Sequence, residues 1–105
     1  MITIDVKKNY FTLINVFTVD RPNQQKLVNL LTQATDGRVS KVPGFIAAAL
    51  HQSIDGTKVT MYAQWESQEH YQQMRSNPQA SANLDEALRI ASFDPGMYEV
   101  VKTFN

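Results

Sequence analysis

Val59-Thr60-Met61-Tyr62-Ala63-Gln64-Trp65-Glu66-Ser67 is the stretch on which the fold turns. Val59, Met61, Ala63 and Trp65 alternate with Thr60, Tyr62, Gln64 and Glu66, so the segment reads as a strand with one apolar face. Ahead of it stands the turn signal Ile54-Asp55-Gly56-Thr57, and behind it Ser67 is placed to open a helix. The only tryptophan of the chain therefore lies at a strand-to-helix mouth. Mouths of this kind commonly hold ligands. On the residue alone, Trp65 reads either as core filling or as pocket wall.

Upstream, Phe45 to Ile54 forms the other arm of a hairpin closed at Asp55-Gly56. Phe45, Ala47, Ala49, His51 and Ser53 are expected on one face, with Ile46, Ala48, Leu50, Gln52 and Ile54 on the other. Alanine is depleted in strands, so the run Ala47-Ala48-Ala49 leaves room either for close packing or for a ligand. Further upstream, Tyr10 to Val19 is apolar on both faces, as a central strand is. Asn15 breaks its pattern among Phe11, Leu13 and Phe17. A buried amide needs hydrogen-bond partners, so Asn15 is either satisfied within the fold or aimed at a cavity.

Asp20-Arg21-Pro22-Asn23 starts a helix whose buried stripe is Leu27, Leu30, Leu31 and Ala34. The helix is expected to reach about Lys41, with a kink at Asp36-Gly37, before Pro43-Gly44 ends it. Downstream, Ser67 caps a short helix carrying Tyr71 and Met74. Asn77-Pro78 interrupts it, a second helical piece is expected from about Gln79 to Ala91, and a last strand from Met97 to Phe104. Residues 1–8 read as an arm, and the whole of 1–105 as one domain. The order strand, helix, strand, strand, helix, strand is that of an α+β ferredoxin-like split βαββαβ fold with an antiparallel sheet. Its helices cover one face only, so a second copy is expected on the other, giving a homodimer.

Composition narrows the function. Ten basic and ten acidic residues cancel, which leaves no electrostatic footprint for nucleic acid and no polybasic membrane anchor. No stretch approaches the roughly 18 apolar residues of a membrane helix, and the chain reads as cytoplasmic. Without cysteine there is no thiolate chemistry. His51 and His70 have no metal-site spacing, the four glycines stand alone at turns, and neither Ser53 nor Ser67 sits in a nucleophile elbow. What remains is an apolar pocket lined by Asn15, Phe17, Trp65 and Tyr71. Such a pocket suits a flat aromatic molecule and could stabilise a developing phenolate. His70 is the acid or base candidate if it turns toward the pocket mouth, because histidine exchanges protons near neutral pH.

The segments Leu13-Ile14-Asn15-Val16-Phe17, Val42-Pro43-Gly44-Phe45, Ser53-Ile54-Asp55-Gly56-Thr57-Lys58-Val59, Tyr62-Ala63-Gln64-Trp65-Glu66-Ser67, Phe93-Asp94-Pro95 and Tyr98-Glu99-Val100-Val101 together resemble the antibiotic biosynthesis monooxygenase family. The resemblance implies a dimeric α+β barrel. It also implies oxidation of a phenol or hydroquinone by dioxygen with no metal, flavin or haem cofactor. In that chemistry the deprotonated substrate passes an electron to oxygen while the protein desolvates and orients it.

Carried over by resemblance, Asn15 and Trp65 take catalytic positions, and Tyr71 is the helix aromatic that contacts substrate. Met61 stands where many relatives have a substrate-binding asparagine, a departure from the pattern. The haem-degrading branch has a helix histidine where this chain has Arg75, and His70 lies too early to replace it. The leading expectation is a cofactor-independent monooxygenase acting on a small aromatic or polyketide-like substrate and dioxygen. Catalytic residues are expected at Trp65, Asn15 and His70, and substrate contacts at Tyr71, Phe17 and Met61. A non-catalytic dimer that binds a small ligand and a haem-degrading enzyme are the alternatives.

Overall fold

A computed structural model describes residues 1–105. The strands β1 (Phe11–Val19), β2 (Phe45–Gln52), β3 (Lys58–Trp65), β4 (Ala91–Asp94) and β5 (Met97–Tyr98) alternate with α1 (Gln24–Gly37), α2 (Gln68–Ser76) and α3 (Pro78–Ala87). They form one antiparallel sheet in the order β2-β3-β1-β4, with β5 also pairing to β1. This is the expected ferredoxin-like arrangement, with β1 and β3 at its centre.

The alternation read in β3 holds. Val59, Ala63 and Trp65 are buried on the helix side, while Gln64 on the far side donates to the Thr3 carbonyl at 2.8 Å and to the Tyr62 hydroxyl at 3.1 Å. The N-terminal arm thus lies against the outer face and contains a single 3-10 turn, Val6–Lys8. The helix starts follow the side chains available. The Ser67 hydroxyl accepts from the His70 N–H at the head of α2, and the Asn77 amide oxygen accepts from Gln79 at the head of α3, where Pro78 needs no donor.

Three expectations change. The first helix does not run through to Lys41: α1 ends at Gly37, and a separate 3-10 turn, Val39–Lys41, follows. Glycine propagates a helix poorly, and Val39 is buried under the sheet end by the change of direction. In β2, a bulge between Phe45 and Ala47 inserts one residue. Phe45 therefore pairs with Trp65 and joins Ala48 on the helix side, instead of sharing a face with Ala47 and Ala49.

The last strand is also shifted. α3 stops at Ala87 instead of reaching Ala91, and Ala91–Asp94 forms a strand ahead of the expected start at Met97. Phe93 stacks on Phe17 with ring centroids 4.8 Å apart, a contact across the sheet that outweighs the helical spacing of Ala87, Leu88 and Ala91. The register of β4 on β1 continues into β5, with Val16 opposite Asp94 and Thr12 opposite Tyr98. Pro95, which has no N–H, interrupts the ladder between them, while the Gly96 carbonyl still accepts from Ile14. Beyond Tyr98 the chain has no regular structure, so the strand expected as far as Phe104 ends seven residues before the C-terminus.

Between sheet and helices lie two apolar clusters. One joins Leu13, Val39, Ala63, Trp65, Tyr71, Met74 and Ala80; the other joins Phe17, Val19, Leu27, Leu31, Val59 and Ala87. Their boundary is where the fold leaves space.

Candidate active site

That space is a cavity of about 50 Å³ lined by 17 residues, of which 14 are hydrophobic. Its floor is the sheet. Leu13, Asn15 and Phe17 come from β1 and Met61, Ala63 and Trp65 from β3, each at alternate positions, so the pleat turns all six the same way. Asn15 is paired directly opposite Met61. The helices close the roof with Leu31 and Thr35 from α1, Tyr71, Met74 and Arg75 from α2, and Leu84 from α3.

Aromatic edges frame one end. Trp65, 1% exposed, meets Phe45 edge-on at 5.5 Å and Tyr71 at 6.0 Å, and Tyr71 lies 6.1 Å from Phe11. Such tilted contacts hold ring orientations and so fix the shape of the cavity wall. Burial pushes the Tyr71 phenol above its ordinary pKa, while the Arg75 charge and the Asn15 amide pull it back in part. At neutral pH Tyr71 is therefore a protonated phenol that can donate a hydrogen bond.

Asn15 is the polar anomaly in the floor. Its side chain approaches Tyr71 closely enough to favour the phenolate, yet its Oδ1 is buried and has no hydrogen-bond partner. An orphan acceptor in an apolar interior costs about 1–3 kcal/mol. Of the two readings open to the sequence, the structure takes the second: Asn15 faces a cavity and is not satisfied by the fold.

Five of the residues singled out in the sequence, Asn15, Phe17, Met61, Trp65 and Tyr71, thus line one cavity. His70 does not line it. Its Nδ1 lies 2.7 Å from the Ser67 Oγ and its Nε2 3.9 Å from Glu66, at the helix surface with the side chain 35% exposed. The imidazole rests on Gly44, whose φ of 90° and lack of a Cβ admit it. Placing His70 at the pocket mouth is corrected on this geometry: the N-cap of α2 turns it outward. Arg75 and Thr35 are lining residues that sequence reading passed over. The sequence signals for Arg75 were its spacing of one helical turn from Tyr71 and its place where the haem-degrading branch has a histidine.

The profile of the antibiotic biosynthesis monooxygenase family matches residues 10–84. The chain belongs to that family. Tetracenomycin-F1 monooxygenase of Streptomyces glaucescens is 35% identical over 104 residues, covering 99% of this chain and 93% of that protein. Among solved structures, the monooxygenase from the gene ActVA-Orf6 of Streptomyces coelicolor, determined with nanaomycin D, superposes with a TM-score of 0.83 at 27% identity, covering 97% of this chain and 98% of the other. SnoaB of Streptomyces nogalater, a cofactor-independent oxygenase, has a TM-score of 0.81 at 16% identity over 90% of this chain and 96% of its own, a likeness of fold.

In this antibiotic biosynthesis monooxygenase domain the segments that carried the resemblance have clear places. Pro43-Gly44-Phe45 starts β2 and supplies the edge contact to Trp65, and the Gly44 carbonyl accepts from Glu66 at 2.8 Å. Tyr62-Ala63-Gln64-Trp65 alternates between the outer face and the cavity floor. No histidine, aspartate or glutamate lines the cavity, and no three of them gather elsewhere in a group able to hold a metal ion. No helix is long and apolar enough to cross a membrane.

Proposed function

We propose that this chain is a cofactor-independent monooxygenase that oxidises a small aromatic phenol, hydroquinone or polyketide-like ring with dioxygen. The observation that carries the reading is the cavity itself: apolar walls, a framing tryptophan, and an amide with an unpartnered Oδ1 beside a protonated phenol. Family membership and the activities named for its relatives support it.

The chemistry asks little of the protein beyond this. A phenol is oxidised to a quinone when one oxygen atom of O₂ becomes the new carbonyl and the other leaves as water with two substrate hydrogens. No external reductant enters that balance. The first step is electron transfer from the substrate anion to O₂. It is helped by excluding water and by aiming dipoles at the oxygen that carries the charge. The Asn15 Nδ2 and the Tyr71 hydroxyl are the donors we assign to that oxygen, Trp65 and Phe17 to the ring faces, and Met61 to the floor opposite Asn15. A volume of about 50 Å³ admits dioxygen but not a fused ring system, since ligand pockets span roughly 300–1,000 Å³. Ring binding therefore requires side-chain movement, for which the unbranched Met61 and Met74 are suited.

A homodimer is part of the same proposal. The outer sheet face carries the half-buried Ile14, Val16 and Tyr62, and the C-terminal tail holds Val101 and Phe104 more than four-fifths exposed. A second copy would cover both, and light scattering on the purified protein tests it by its mass.

The deciding experiment is dioxygen uptake by metal-free protein against hydroquinones, anthrones and naphthols, with heat-killed protein as the autoxidation control. Uptake above that control with quinone formation is expected. Its absence across the panel, in folded protein, would return the chain to a ligand-binding role.

A further inference from the structure

Arg75 is a cation in an apolar lining that contains no carboxylate. Only three of the lining residues, Asn15, Thr35 and Arg75, are not hydrophobic, and of these Arg75 alone is charged. Other arginines are occupied or wet. Arg21 donates to the Asp55 carbonyl, Arg38 donates to the Gln79 carbonyl at 2.7 Å, and Arg89 is exposed. The Arg75 side chain is half-buried and makes none of the side-chain hydrogen bonds or ion pairs of the fold; the single ionic contact in the chain is that of His70 with Glu66. Arg75 lines the same cavity as Asn15 and Tyr71 and stands one helical turn after Tyr71 on α2.

We propose that Arg75 is the anion-binding residue of this cavity and holds the phenolate or enolate oxygen of the substrate. The assignment rests on the oxygenase reading above for its substrate class. A guanidinium without a protein counter-charge is completed by a ligand that brings one, and its planar donors suit an oxyanion. Among the lining residues the only titratable groups are Tyr71, protonated at neutral pH, and Arg75 itself. With no carboxylate or imidazole there to accept the substrate proton, that proton goes to water. Arg75 then makes the ionised substrate the bound form. This replaces a general base with an electrostatic bias on the substrate's own ionisation.

The test separates binding from turnover. 1-Naphthol is bound under argon and its naphtholate absorbance followed against pH in the intact protein. In wild type the bound naphthol is expected to ionise at least about 1 pH unit below the free compound, the effect of a cation within about 4–6 Å. Arg75→Gln should abolish the lowering, and Arg75→Lys should keep most of it. In oxygen-uptake assays Arg75→Gln should lower kcat/KM about tenfold or more near neutral pH, with the deficit shrinking as pH approaches the ionisation of the free substrate.

Equal ionisation of bound naphthol in wild type and Arg75→Gln overturns the proposal, as does failure of folded wild type to bind naphthol at all. Arg75→Lys behaving like Arg75→Gln overturns it too. If ionisation is lowered through Arg75 but no substrate consumes oxygen, the oxygenase reading fails while the anion site stands. If oxygen is consumed and Arg75→Gln changes neither measurement, the reverse holds.

Discussion

Two polar clusters in this protein are built on opposite principles. At the β2–β3 turn, Ser53 Oγ accepts from the Thr57 and Lys58 N–H groups and donates to Asp55, whose Oδ1 also accepts from the Thr57 N–H and, at 2.6 Å, from its hydroxyl. Gln24 reaches across from α1 to the Ser53 and Lys58 carbonyls. These hydrogen bonds hold the Asp55 carboxyl down to about 2, the Thr57 hydroxyl most of all. In the cavity, by contrast, the Asn15 Oδ1 is left without a partner and Arg75 without a counter-charge. A saturated cluster has nothing left for a ligand and serves the fold. An unsaturated one costs stability and keeps hydrogen-bonding capacity free for a ligand.

The most severe way to break the contrast is Trp65→Ala, which removes the residue shared by core and cavity wall. We expect a loss of about 3–5 kcal/mol in chemical denaturation together with loss of turnover. Trp65→Phe should keep the fold while losing most activity, and unchanged turnover in that variant would return Trp65 to a core role. Next is Asn15→Leu, a swap of similar size that removes the orphan amide. Turnover should drop roughly a hundredfold, as on losing one donor to a developing oxyanion, while the thermal midpoint holds or rises. A lower midpoint would mean that Asn15 supports the fold after all.

Ser53→Ala should do the opposite: a cost of about 1–2 kcal/mol from unmade hydrogen bonds, with oxygen uptake unchanged in the folded fraction. The smallest effect is the acid limb of the turn. The Asp55 pKa is lowered on folding, so its contribution is present above the ordinary value of 3.8 and is lost as pH falls toward about 2. Asp55→Asn should flatten the stability profile in that window, as read by thermal midpoints between pH 5 and 2. An unaltered profile would assign the acid sensitivity to other carboxylates.

How much of this was legible beforehand depended on range. The hairpin turn was readable because Ser53, Asp55 and Thr57 interact within four residues. The helix start at Ser67 was readable for the same reason, whereas Asn77-Pro78 was read as a break and not as the cap of the next helix. The period-two alternation of β1 and β3 was readable in the sequence, but the register that sets Asn15 opposite Met61 was not. His70 was a candidate only if it turned toward the pocket mouth, and the sequence carries no information about which way an N-capped helix turns its first residues.

By itself, then, the sequence determined the order of elements, the two faces of the central strands, the capped start of α2 and the turn, all consequences of interactions a few residues long. Only tertiary structure decided the rest. The bulge that moves Phe45 beside Trp65, the strand at Ala91–Asp94 held by the Phe17–Phe93 stack, and the arrival of Arg75 at an otherwise uncharged cavity all join residues far apart in the chain. Such contacts are selected by how the packed layers fit, and local propensity at Ile46, Ala91 or Arg75 holds no record of them.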